Sequence, residues 1–336
     1  MVSDEVALVG NGYIFMAVRV LSLGSQVAWD PRCRALCLDL PRGLTVISPL
    51  RTLSERWLPI LLTGILLLLV WDPLAIWANS PAAQRLLEQG TADCSTVREC
   101  ARLLRNPILP SLGQLAEGLR NMAFPLTSTS AVGYNALVTA AETLVGLGLA
   151  LLVGWATAVA LVFSRAFERM MLPWIVASQN VPIVALAPVL AVVLGQYGVR
   201  GLLPKAIVAA YIAFFPLSIG IAKGLSSVPP LQLDLMRTYH AHPLQVFRWV
   251  RIPAAMPMVF TSLKVAVAMA LVGAIVAEIS IVSFAGLGPM LLSRSYYGDM
   301  VGLWVIMLVA AALGILLVQG IGLLENIWTR WRRPTP

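Results

Sequence analysis

Six stretches of this sequence, 57–78, 134–163, 173–194, 202–222, 256–284 and 300–324, run with very little charge. Each reaches the length of about 20 residues that a helix needs to cross the hydrocarbon of a bilayer. In hydrocarbon every backbone N–H and C=O must be paired within the chain, so spans of this kind fold as helices. The expected fold is therefore all-α, a polytopic membrane protein with six transmembrane helices. A composition of 59% hydrophobic and 12% charged residues excludes an ordinary soluble domain. The net charge of +8 would suggest nucleic acid in a soluble chain. Here the basic residues flank apolar spans and are better read as topology determinants, so no nucleic-acid partner is expected.

Their distribution fixes an orientation. Arg51, Arg56, Arg165, Arg169, Lys223, Arg237, Arg248, Arg251, Arg330, Arg332 and Arg333 fall on one side, while the opposite short loops hold Arg200, Lys205 and Arg294. The positive-inside rule then places both termini and the 223–257 loop in the cytoplasm.

That loop carries Asp234, Arg237, His240, His242, Arg248 and Arg251 between two apolar spans, so it cannot lie in hydrocarbon. Pro229 and Pro230 open a short helix over 231–239, and Pro243 opens a second over 244–250, before Pro253 and Pro257 lead into the next span. Such a unit suits docking into a groove on a soluble partner; the alternative is an ordinary amphipathic loop on the membrane surface.

The loop resembles the coupling loop of bacterial ABC importer permeases, whose signature runs Glu-Ala-Ala, three residues, Gly, nine residues, Ile-x-Leu-Pro. On this chain the acid falls on Asp234, the two alanines on Leu235 and Met236, and the glycine on His240. The closing residues fall on Val250, Ile252 and Pro253. Histidine stands where a tight turn favours positive φ, a conformation it adopts at a cost. The resemblance extends over roughly residues 110–330 through SRAFERMMLPWIVASQNVPIVALAPVLAVVLGQYG, LKVAVAMALVGAIVAEI and the GLGPML turn. It matches the nitrate, sulfonate, taurine and pyrimidine-precursor branch. ASQNVPIVALAP and LDLMRTYHA look most like permeases for hydroxymethylpyrimidine precursors of thiamine, with an aliphatic sulfonate, nitrate or riboflavin as the alternative.

The resemblance implies the type I importer permease fold, with residues 57–336 as the permease domain, its core at 134–324, and 1–56 as a cytoplasmic or interfacial extension. It also implies a bacterial inner-membrane location, cytoplasmic ABC ATPase subunits, a periplasmic solute-binding protein and a second permease subunit, expected to be identical. Asp234, Leu235, Met236, Arg237, His240, Val250, Arg251, Ile252 and Pro253 would couple to the ATPase. The chain has no Gly-x-x-x-x-Gly-Lys-Ser/Thr motif, so it is expected to be a transport subunit that is not itself an enzyme. No metal and no cofactor are expected. An ion-coupled secondary carrier is the competing class, but it calls for acids deep in the spans, and these acids are expected near span ends.

Polar residues within the spans mark a solute path. Gln179 and Asn180, beside Pro182, would offer amides to a neutral heterocycle, or would satisfy backbone that the proline frees. Glu142 is expected to be a solvated end group, Lys264 to snorkel to the cytoplasmic interface, and Glu278 to face the outer vestibule or another helix. No intramembrane cationic site stands out that would demand an anionic solute. Gly146, Gly148 and Gly154 suit close helix packing, and Trp57, Trp71, Trp77, Trp328 and Trp331 suit interfacial anchoring. Asp72 and Pro73 are expected to end the membrane part of the first span, and 79–133 to form a long loop. Cys33 and Cys37 read as plain thiols, whereas Cys94 and Cys100 lie where an oxidising periplasm permits a disulfide.

Overall fold

A computed structural model describes residues 49–89, 94–123, 131–281, 283 and 285–329. The 1–48 part of the N-terminal extension, Cys33, Cys37, Arg330, Arg332, Arg333, Trp331 and the Trp57 side chain lie outside the described residues. The chain divides into two units, 1–61 and 62–336, and the second holds the helix bundle.

The described residues are helical, with no strand among them. Five helices are long and apolar enough to cross a membrane, and a bent pair makes the sixth crossing if it is taken as one span. Helix α1 (Pro49–Glu88) continues through Asp72 and Pro73 as one helix. The region expected to be a loop holds α2 (Val97–Leu103) and α3 (Leu112–Ala123) instead. Side chains on α1 organise it: Asn79 Nδ2 donates to Leu109 O and its Oδ1 accepts from Ile108 N–H, each at 2.8 Å. Asp72 accepts from Leu112 N–H at 3.3 Å. Trp71, expected to anchor at the interface, donates to Pro110 O at 3.0 Å and meets Trp304 edge-on at 5.4 Å. Cys94 and Cys100 form a disulfide, with their Cα atoms 5.4 Å apart.

Helix α4 (Val132–Phe163) is followed by α5 (Arg165–Ser178) and α6 (Ile183–Gln196), which meet at 101°. Pro182 explains the break, since it lacks an N–H and drives the residue before it out of helical geometry. Helices α7 (Leu202–Ser226) and α10 (Ile252–Ser280) pack on α4 to form the core. Small residues bring the backbones together: a Cβ on Gly146 would lie 2.7 Å from both Ala206 O and Ala209 Cβ. One on Gly154 would lie 3.2 Å from Leu217 Cβ, while Gly148 faces open space and takes no part. Close approach of this kind stands in for hydrophobic attraction, which lipid does not supply between helices. Helix α11 (Leu287–Tyr296) and α12 (Met300–Trp328) complete the unit.

Between α7 and α10 lie α8 (Pro230–Thr238) and α9 (Pro243–Val246). The second loop helix does not stop before Pro253 as expected. It passes through a π-turn, Phe247–Arg251, directly into α10. The wider turn is the physical answer to Pro253: Ile252 N–H bonds back to Phe247 O, and the N–H that Pro253 lacks is not needed by a regular ladder.

Candidate functional site: a docking loop, a bent span and a buried charge cluster

The candidate docking loop begins where Pro229 and Pro230 start α8. Asp234 and Arg237 form an exposed ion pair at 2.9 Å, one turn apart. An exposed pair of this kind contributes at most about 1 kcal/mol, so its charges remain open to a partner. Helix α8 ends in a Schellman motif: Ala241 N–H bonds to Met236 O and His240 N–H to Arg237 O, both at 3.0 Å. The motif requires a left-handed residue, and His240 takes it with φ of 52°, the one non-glycine with positive φ among the described residues. His242 then caps α9, its N–H bonding to Gln245 Oε1 at 2.8 Å. Arg251 donates to Leu225 O at 3.4 Å, tying the base of α10 to the end of α7. Ile252 and Pro253 begin α10, and Val250 sits in the π-turn.

Leu231, Leu235, Tyr239, Leu244 and Trp249 are all exposed on this unit, at 54 to 80%. The first three recur at four-residue intervals and so share one side of α8 and its cap. No described residue buries them.

Gln179 and Asn180 lie in the break between α5 and α6, both exposed. Neither side chain bonds to the backbone that the break releases. That role falls to Tyr211, whose hydroxyl donates to Ser178 O. Gln179 is left to line a 420 Å³ cavity with Tyr211, Phe215 and Met269. Asn180 does not line it.

A third group was not anticipated. Glu142, expected to be solvated, is 1% exposed and forms an ion pair with Lys205, which is itself buried within α7 rather than lying in an outer loop. The interior therefore does hold a cation. Lys205 Nζ also donates to Ser283 Oγ at 2.9 Å. Glu278, 1% exposed, faces another helix, the second of its two expected settings, and borders a 460 Å³ cavity. Its Oε1 accepts from Thr139 Oγ1 and its Oε2 from Gly288 N–H, both at 2.7 Å. Thr139 Oγ1 accepts from Leu287 N–H at 2.9 Å and Asn135 Oδ1 from Gly286 N–H at 2.8 Å, so α4 and α10 together clamp the Gly-Leu-Gly turn. Gly286 has φ of 123°, and a Cβ on Gly288 would come within 2.6 Å of Glu278 Cβ. Glycine at both positions lets the turn reach the carboxylate. Lys264 pairs with Glu325 rather than snorkelling alone.

A signal for the cluster was present. Glu142 near the start of the second span, Lys205 at the start of the fourth and Glu278 near the end of the fifth fall at one level in an alternating topology. Counting Lys205 as a loop residue concealed it.

Comparison with known proteins gives a consistent result. A family model described as the binding-protein-dependent transport system inner membrane component matches residues 146–328, more than half of the chain. A probable ABC transporter permease protein of Haemophilus influenzae is 37% identical over 141 residues, covering 42% of this chain and 56% of that protein. The formylaminopyrimidine transport permease protein ThiX of Halalkalibacterium halodurans is 29% identical over 234 residues, covering 69% and 90%. The riboflavin transport system permease protein RibX of Chloroflexus aurantiacus is 31% identical over 168 residues, covering 50% and 60%. The match thus spans less than two thirds of the Haemophilus and Chloroflexus proteins. A chain of the MetNI methionine ABC transporter, solved in inward-facing conformations, superposes with a TM-score of 0.50 over 60% of this chain and 95% of that one, at 18% identity. That likeness speaks to fold alone.

Proposed function

The chain belongs to the binding-protein-dependent transport system inner membrane components, and from that premise we propose that it is the permease subunit of an ATP-driven importer, passing a small solute handed over by an external binding protein. The observation that carries this reading is the uncovered apolar stripe of Leu231, Leu235 and Tyr239, set beside the open charges of Asp234 and Arg237. A stripe of this size on a polar loop calls for a protein partner. In this reading the partner is a cytoplasmic ABC ATPase, one on each of two identical permease subunits in a bacterial inner membrane, with both termini of each inside. Asp234, Leu235, Met236, Arg237 and His240 dock, while Val250, Arg251, Ile252 and Pro253 pass the motion to α10.

The solute proposed is a formylated or hydroxymethylated pyrimidine, a thiamine precursor. Two observations support it: the likeness to ThiX along 90% of that protein, and a cavity at the bent span that combines the Gln179 amide with the Tyr211 and Phe215 rings. An amide offers both donor and acceptor to a neutral heterocycle, and the rings offer a stacking face. Riboflavin, which RibX is named for, shares that chemistry and is the second reading.

Vesicles containing this permease with its ATPase and binding protein test both levels. ATP-dependent uptake of labelled formylaminopyrimidine is expected, and uptake of riboflavin or an aliphatic sulfonate alone would replace the pyrimidine. Asp234→Lys should leave the protein inserted while abolishing uptake; uptake at the unaltered rate would remove Asp234 from the coupling role.

A further inference from the structure

A cavity of 470 Å³ opens at the ends of α4, α5, α7 and α10, on the side that the basic-residue count assigns to the cytoplasm. Arg165, Lys223 and Arg251 line it from three separate helix ends, with Glu168 as the one carboxylate, leaving an excess of two positive charges. Neither Arg165 nor Lys223 has an ion-pair partner among the described residues. The Ser226 hydroxyl adds a donor at the same end. Above these groups the wall turns apolar through Leu161, Leu172 and Ile219, and the flank of α4 and α5 beside it exposes Phe163 and Leu172 at 57% and 41%. Charged floor and apolar wall are thus stacked in the order in which a phospholipid presents its headgroup and its acyl chains.

We propose that this cavity binds the phosphate of an anionic phospholipid from the inner leaflet, with its acyl chains lying against Leu161, Leu172 and Ile219. A basic recess between membrane helices on the cytoplasmic side is the setting in which such headgroups are held, and guanidinium groups pair with phosphate by charge-assisted hydrogen bonds. The lipid would bridge the start of α5 to the junction of α7 and α10, next to the docking loop. A dissolved phosphate offers the same charge without the chains, and the apolar wall favours the lipid.

The test uses the full chain in phosphatidylcholine nanodiscs, with retained lipid counted by native mass spectrometry as phosphatidylglycerol is added. Phosphatidylglycerol is expected to bind saturably, and the double variant Arg165→Ala with Lys223→Ala to weaken it on the order of thirtyfold. Arg165→Lys with Lys223→Arg should keep binding near the unaltered level, as should Arg169→Ala, whose side chain is exposed and does not line the cavity. Equal retention by the double alanine variant and the parent would overturn the site. Displacement of the lipid by inorganic phosphate at matching concentration would overturn the lipid as its source.

Discussion

Two residues go against their local surroundings, each for a different reason. His240 occupies the left-handed position that closes α8, where a non-glycine residue is disfavoured by roughly 1–2 kcal/mol and glycine by nothing. Glycine gives back about 0.5–1 kcal/mol through unfolded-chain entropy. His240→Gly is therefore expected to stabilise by about 0–1.5 kcal/mol. His240→Val should destabilise by about 1–2 kcal/mol, because a branched Cβ is worse still at positive φ. Thermal unfolding in detergent reads both, and a valine variant as stable as the parent would show that the turn adapts. Lys205 is the second case. Replacing it with methionine strands the Glu142 carboxylate in an apolar interior, at a cost of about 3–5 kcal/mol. Pairing Lys205→Met with Glu142→Gln should recover part of that loss, since the carboxylate that Lys205 pairs with is then gone, while Glu278 keeps its Thr139 and Gly288 donors. The amount of monodisperse protein after extraction measures it; equal losses in the single and double variants would mean that the ion pair is not what matters.

At the level of elements, the packing of α4 on α7 rests on glycine in a way that can be isolated. Gly146→Ala places a methyl group against backbone that cannot yield, and a cost of about 1–3 kcal/mol is expected. Gly148→Ala, two residues on and about 200° round the helix on an open face, should be neutral or slightly stabilising. If both behave alike in thermal unfolding, the α4–α7 seam is looser than these distances imply. The sequence suggested close packing for all three glycines, but hydropathy has no face, so it could not say that Gly146 and Gly154 meet a neighbour and Gly148 does not. The same limit explains the other elements. Length and apolarity located the spans, and proline located the start of α8, because both act locally. The helices in 79–133 escaped notice because long-range bonds from Asn79 and Asp72 on α1 hold their surroundings in place. The second loop helix merged with α10 because a π-turn absorbed a proline that usually ends a helix. Of the candidate site, the two loop helices were legible from their prolines and charges, and the docking reading came from the resemblance to importer permeases, whereas the Glu142–Lys205–Glu278 cluster required three spans to be aligned in depth.

At the scale of the whole described unit, α10 runs from the foot of the proposed docking loop to the Gly-Leu-Gly turn. Its base follows the π-turn at Val250 and Arg251, and its far end carries Glu278, which grips the Gly288 N–H. Over its 29 residues it extends about 43 Å, more than the hydrocarbon thickness. A push on the docking loop would therefore arrive at the Gly-Leu-Gly turn through one rod, with the wide turn at its foot as the swivel. Rocking of this kind needs the rod to remain intact between its ends. Val272, 56% exposed, lies along the rod away from both ends. Val272→Pro removes a ladder hydrogen bond there and kinks the helix, without touching the docking loop or the Glu278 clamp. The variant is expected to insert and to co-purify with its ATPase while losing the rise in ATP hydrolysis that a loaded binding protein evokes. Val272→Leu, which keeps the helix whole, should respond as the parent does. If the proline variant retains the full stimulated rate, the signal does not travel along α10, and the contacts of α4 and α7 with the docking loop's two ends become the route to examine by the same assay.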